Sequence, residues 1–168
     1  FTVRGRPDPT LDKHTSLYEW AGLLSRAPAG HVVVCQPQDD TRALFGGLSA
    51  EALKIKGVRG YIVDGGCRDI QAVADQGFPV FARYATPIDI VCAWRAEAFE
   101  QPLAIGGQQV QPDDHVLADR DGIVLIGAGD VEAVVAAAER KMATEGDMVR
   151  AIRAGEDPQA AYLRYRVF

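Results

Sequence analysis

The sequence predicts an α/β fold with a mixed sheet, on three observations. Between residues 31 and 83, apolar strand-like runs alternate with short helical patterns over short links, the arrangement of parallel strands joined by helices. Between residues 88 and 126 the pattern changes to several brief strands divided by Gly- and Asp-rich turns. A long helical pattern then runs from Val131 to about Ala154, with Asp130 before it as an N-cap and Gly155 after it as a stop.

The elements follow in order. The chain reads as loop up to Pro9, and Ser16–Ser25 carries a helical apolar pattern through Leu17, Trp20, Ala21 and Leu24. Pro28-Ala29-Gly30 ends it, and His31–Cys35 reads as a buried strand. After a polar loop over 36–42 comes Gly46-Gly47-Leu48-Ser49, with Ser49 able to cap a short helix over Ala50–Lys56 that Gly57 ends. Gly60–Asp64 is the next strand, followed by a tight loop, Gly65-Gly66-Cys67-Arg68-Asp69. A helix over Ile70–Gln76 and a strand over Val80–Arg83 complete this part. Asp119-Arg120-Asp121-Gly122 is a turn signal between Val116–Ala118 and Ile123–Ile126.

With 168 residues and 48% hydrophobic content, the chain suits one domain over 1–168 with a core of its own. Lys and Arg number 18 against 23 Asp and Glu, with no basic run, which argues against nucleic acid or an anionic membrane as partner. The longest apolar runs are about five residues, whereas a membrane-spanning helix needs roughly 20. Cys35, Cys67 and Cys92 are odd in number and widely spaced, so neither a disulfide framework nor a zinc site is expected; a reducing cytoplasm is the simplest setting.

Two glycine-rich loops could carry chemistry. Gly46-Gly47-Leu48-Ser49 opens a helix, where free backbone N–H groups bind carboxylate or phosphate and glycines allow close approach. Asp64–Asp69 follows a strand, the place where open α/β sheets bind ligands. Arg68 suits bidentate contact with a carboxylate, and Asp69 is an oxygen ligand suited to Mg²⁺ or Mn²⁺. By spacing alone an ordinary turn, with Asp69 as a helix N-cap, fits as well.

Gly47, twenty intervening residues and then Arg68-Asp69 resemble the signature of the RraA-like family. That family includes the 4-hydroxy-4-methyl-2-oxoglutarate/4-carboxy-4-hydroxy-2-oxoadipate aldolases and the regulator of ribonuclease E activity A. Gly57–Asp69, Gly77–Arg83 with Thr86-Pro87, and Asp114–Gly122 extend the likeness over about residues 28–155. The resemblance implies a single swivelling β/β/α domain, an extra N-terminal segment not seen before Phe1, and a homotrimer or dimer of trimers with the site at a subunit interface. Trp94, Phe99 and Tyr162 are the large side chains expected to find burial in such an assembly.

It also implies a class II, divalent-metal-dependent lyase that cleaves a 4-hydroxy-2-oxo acid to pyruvate, with oxaloacetate decarboxylation as a related reaction, through a metal-stabilised enolate. Carried over by position, Gly46, Gly47, Leu48 and Ser49 would bind the pyruvate unit, Arg68 would contact substrate, Asp69 would hold the Mg²⁺ or Mn²⁺, and Glu145 would reach a neighbouring subunit's site. One departure stands out: the resemblance implies a second acidic residue either beyond the Arg-Asp pair with two residues between, or in place of the first loop's second glycine. Here those positions are Ala72 and Gly47. The alternative function that the resemblance implies is a non-catalytic, protein-binding regulator.

Other signals are weaker. Lys54 and Lys56 read as solvated helix residues, Cys67 as a packing residue, and His14, His31 and His115 as loop-edge or core residues. Gly127-Ala128-Gly129 lacks the third glycine of a dinucleotide fingerprint.

Overall fold

The computed structural model describes residues 1–168, which divide into two compact units, Phe1–Asp114 and His115–Phe168. In the first unit the order is β1 (Thr2–Pro7), α1 (Lys13–Arg26), β2 (Val32–Gln36), α2 (Gly47–Ile55), β3 (Gly60–Cys67), α3 (Ile70–Asp75), β4 (Val80–Ala85), β5 (Trp94–Phe99), β6 (Leu103–Ile105) and β7 (Gln108–Val110). Five strands form one sheet in the order β4-β3-β2-β1-β5. β1 to β4 are mutually parallel and β5 runs antiparallel to β1, so the sheet is mixed, as the sequence predicts. β6 and β7 form a separate antiparallel hairpin.

Residues 2–7, read from sequence as loop, are a strand. Arg4, Arg6 and Pro7 hide the strand pattern, and it is pairing on both sides, with β2 and β5, that fixes the extended backbone. α1 begins at Lys13, earlier than the apolar pattern, because the Asp12 carboxylate accepts from Thr15 N at 3.0 Å. β3 extends through Gly65-Gly66-Cys67, the stretch read as a tight loop; the turn that remains is Arg68-Asp69.

The core of this unit gathers Val3, Leu23, Val33, Leu44, Phe45, Leu53, Tyr61 and Phe78. Phe45 stacks on Tyr61 at 4.2 Å and on Phe78 at 5.9 Å between ring centroids. Each such buried side chain contributes about 1.5–3 kcal/mol relative to exposure. Trp94, expected to need an interface, is instead 2% exposed in the chain's own core, edge-on to Trp20 and donating Nε1–H to Pro37 O at 2.8 Å.

The second unit holds the hairpin β8 (His115–Ala118) and β9 (Ile123–Ile126), then α4 (Val131–Arg153) and α5 (Pro158–Tyr165). Asp119 N donates to Gly122 O at 3.0 Å and Asp121 N to Asp119 Oδ1 at 2.8 Å, the turn that Asp119–Gly122 predicts. Gly155, at φ 88°, follows the end of α4, but Asp130 makes no side-chain cap bond. α5 escapes the sequence reading although its start is marked: Pro158 opens the first turn and Asp157 caps it, accepting from Gln159 N and Ala160 N. No helix of the chain is long and apolar enough to cross a membrane.

Candidate functional site

The two glycine-rich stretches, separated in sequence, meet in the first unit because residues 43–46 run beside the end of β3. Leu44 N donates to Gly66 O at 2.8 Å, and Arg68 N donates to Phe45 O at 2.9 Å. Gly66 is needed for this approach: a Cβ there would lie 2.6 Å from Tyr84 Cε2 and 2.7 Å from Arg42 O.

Asp69 stands at the N-cap position of α3 with a left-handed backbone, φ 56°, a conformation that Asp tolerates better than most residues. It does not cap α3. Its Oδ2 reaches across to α2 and accepts from Gly47 N at 2.9 Å. Oδ1 accepts no hydrogen bond from the protein, and the carboxylate is about half exposed. Gly46 lies tight against this pair: a Cβ there would sit 2.8 Å from Asp69 Oδ2 and 2.9 Å from Arg68 Cγ.

α2 has no side-chain cap, so the amides of Leu48 and Ser49 in its first turn keep unpartnered N–H groups. Ser49 is not the cap that the sequence suggested. It lies inside the helix, and its Oγ accepts from Trp20 Nε1 on α1 at 3.1 Å. Gln76, after α3, donates Nε2–H to Gly47 O at 3.1 Å, which steadies the loop from behind.

Arg68 is held by a residue that the sequence reading did not single out. Its Nη1 lies 2.6 Å from Asp89 Oδ2, while its Nε is 3.8 Å from Asp69 Oδ2. Asp89 Oδ1 in turn accepts from Ile90 N at 2.6 Å and Val91 N at 3.2 Å. Partial burial raises the Asp89 pKa, but the Arg68 hydrogen bond and these amides outweigh it and hold the carboxyl below its ordinary value. Asp89 is two residues past Thr86-Pro87, and its pairing with a side chain 21 positions away has no local sequence signal.

A small pocket of about 70 Å³, partly open to solvent, joins these parts. Gly46, Ser49, Arg68 and Asp89 line it together with the apolar Leu17, Trp20, Phe45, Ile90 and Val91. Asp69 borders an adjoining cleft with Arg68, Ile70, Thr86 and Pro87.

Nowhere in the chain do three His, Cys, Asp or Glu side chains converge as a metal cage. Asp69 Oδ1, free of protein donors, could give a cation one carboxylate oxygen, and a hard cation such as Mg²⁺ would complete its shell with waters. Ala72 Cβ lies 3.7 Å from where a Gly47 Cβ would be, and that position is 3.6 Å from Asp69 Oδ2. The two places where the family carries its second acid are thus one place in space, beside Asp69.

Of the remaining candidates, Cys67 borders the same cleft as Asp69. Burial, with the Asp69 charge adding to it, pushes the Cys67 thiol up to about 11, which leaves it unreactive at neutral pH. Lys54 Nζ donates to Gln76 O and Lys56 Nζ to Ser25 O, and neither lines the cavity. Glu145 is on α4 in the second unit, paired with Lys141 at 3.6 Å.

Residues 1–125 match the family profile described as RraA-like, Aldolase/RraA. A Halalkalibacterium halodurans protein provisionally named 4-hydroxy-4-methyl-2-oxoglutarate aldolase is 33% identical over 141 residues, 84% of this chain and 67% of that protein. The chain spans about two thirds or less of the curated relatives it matches first. Among solved structures, an uncharacterized Pseudomonas syringae protein superposes with a TM-score of 0.85 at 25% identity, covering 98% of this chain and 73% of its own. Streptomyces coelicolor RraAS2, described as an unusual member of the RNase ES inhibitor RraA family, superposes with a TM-score of 0.71 at 27% identity, covering 87% and 72%. With its mixed α/β sheet, its paired loops and this profile match over most of its length, the chain belongs to the RraA-like family.

Proposed function

We propose that the protein is a divalent-metal-dependent lyase that releases pyruvate from a 4-hydroxy-2-oxo acid. The observation that carries this reading is Asp69: its Oδ2 is anchored on Gly47 N, its Oδ1 accepts nothing from the protein, and Arg68 stands beside it. Aldolase-named relatives support the same class.

In this reading the Leu48 and Ser49 amides and the Arg68 guanidinium bind the carboxylate of the 2-oxo acid, the amides with the positive end of a helix behind them. Asp89 holds the Nη1 end of the guanidinium while its Nε lies 3.8 Å from Asp69 Oδ2, which fixes the Arg68 side chain on the cavity lining. Asp69 would hold Mg²⁺ or Mn²⁺ through Oδ1, and the cation would supply Lewis-acid stabilisation of the charge that develops on the 2-oxo oxygen. In the reaction the C3–C4 bond breaks and the C4 hydroxyl gives up its proton as C4 becomes a carbonyl. The electron pair stays with the three-carbon fragment, and protonation at C3 yields pyruvate. Oxaloacetate passes through the same bond cleavage with carbon dioxide as the second product. The wall of Leu17, Trp20 and Ile90 limits the water around the developing charge.

The test is pyruvate release from 4-hydroxy-2-oxo acids and oxaloacetate with Mg²⁺ or Mn²⁺, before and after chelation. Asp69→Asn should abolish metal-dependent turnover. It should cost only about 0.5–1.5 kcal/mol of stability, because an amide oxygen can still accept from Gly47 N. Full activity of that variant, or turnover unchanged by chelator, would overturn the metal mechanism. The likeness to RraAS2 favours a second reading, a protein-binding regulator, which predicts no pyruvate release under any of these conditions.

A further inference from the structure

Resting on the reading of Arg68 and the Gly46–Ser49 loop as the 2-oxo acid site, we infer that this site extends to α1. Ser16 is a substrate-binding residue whose hydroxyl, with that of Ser49, donates to the carboxylate of the 2-oxo acid. Both serines line the pocket that holds Gly46 and Arg68, one from α1 and one from the first turn of α2. Ser16 is 3% exposed and Ser49 8%. Each Oγ accepts one hydrogen bond, Ser16 from Cys92 N and Ser49 from Trp20 Nε1, both at 3.1 Å. Accepting uses a lone pair and leaves the O–H free to donate.

Neither O–H has an acceptor in the protein. The usual one for a helical serine, the carbonyl four residues back, takes no bond from either hydroxyl: Asp12 O accepts from Ser16 N and Phe45 O from Arg68 N. Asp89, the one carboxylate on the lining, accepts from Arg68 Nη1, Ile90 N and Val91 N instead. A buried donor without a partner is costly, and the space these two hydroxyls share is the pocket. At about 70 Å³ it has room for about five water-sized groups, which suits a three-carbon acid head and not a longer substrate. The C4 end then extends past Arg68 into the adjoining cleft beside Asp69, Ile70 and Thr86. Leu17, Trp20, Phe45 and Ile90 keep the pocket apolar around the hydroxyls, where an O–H···O⁻ bond is stronger than in water.

Calorimetry with pyruvate on the whole chain at fixed Mg²⁺ tests the inference. Ser16→Ala should weaken pyruvate binding by about tenfold or more, the scale of a hydrogen bond to a charged group. Ser16→Cys refills the volume and keeps a weak acceptor for Cys92 N, but its S–H is a weak donor, so it should lose nearly as much. The loss must also be direct, not relayed from Cys92 through Asp89 to Arg68. In an Asp89→Asn background, whose amide oxygen still accepts from Arg68, Ser16→Ala should cost a similar factor. Unchanged binding in Ser16→Ala, full binding by Ser16→Cys, a loss that vanishes in the Asp89→Asn background, or no pyruvate binding by the unsubstituted chain overturns the inference. Pyruvate release reports on the lyase reading separately. Turnover with pyruvate affinity unmoved by Ser16→Ala sinks the role of Ser16 and leaves the lyase standing. Binding that depends on Ser16 in a chain without turnover does the reverse.

Discussion

Gly46 shows how little room the site has. Gly46→Ala would place a methyl group within 3.0 Å of both Asp69 and Arg68, so one of these side chains must move. Gly47→Ala meets its nearest neighbours at 3.6–3.7 Å, ordinary contact distances. Isothermal titration with pyruvate should therefore show a loss of binding of tenfold or more, about 1.4 kcal/mol, for Gly46→Ala and a far smaller change for Gly47→Ala. Asp39 tests a different property. Its carboxylate is almost fully buried and accepts from Thr41 N, Thr41 Oγ, Arg42 N and Arg42 Nη1 at 2.7–3.0 Å. Burial raises its pKa, but these bonds outweigh burial and the net shift is downward from 3.8. A depressed folded-state pKa contributes stability that is present above the unfolded value and lost as pH falls through the folded one. Asp39→Asn should lower stability at neutral pH by about 1.5–3 kcal/mol and flatten its decline below about pH 4, as measured by urea unfolding across pH.

Among the elements, α2 and α3 frame the site from two sides, and Ala72 on α3 faces Gly47 on α2. Ala72→Glu would put a carboxylate one turn into α3 beside Asp69 Oδ2. Two adjacent carboxylates repel each other when empty and hold a divalent cation better than one. Mn²⁺ affinity, followed by the relaxation rate of water protons, should rise several-fold in Ala72→Glu. Thermal stability without metal should fall slightly, by about 0.2–0.5 kcal/mol. An unchanged affinity would mean that α3 does not face the cation.

For the whole molecule, the division at Asp114 matters most. Every residue of the main buried cluster lies between Val3 and Trp94, and every side chain of the candidate site lies between Ser16 and Val91. The five-stranded sheet is also complete before His115. A fragment ending at Asp114 should therefore fold cooperatively, with a single urea transition and dispersed amide resonances. A non-cooperative transition would show that the second unit is needed for the first unit's core.

Short-range chemistry determined much of this protein in the sequence. Alternation between residues 31 and 83 specified parallel strands and helices because apolar period and glycine stops are local. The hairpin around Asp119–Gly122 and the end of α4 at Gly155 are local for the same reason. The Arg68-Asp69 pair and the glycine loops were legible as a motif. Tertiary structure decided the rest. β1 is a strand because β2 and β5 flank it, and Gly65-Gly66 are strand residues because Arg42–Leu44 lie against them. Asp89, Trp20 and Gln76 joined the site through contacts across 21 to 29 positions, where sequence carries no periodic signal. Asp69 turned from a helix cap into an anchored, half-free carboxylate because its left-handed backbone aims it at Gly47 N, a geometry that residue type permits but that only the packing of α2 against α3 imposes.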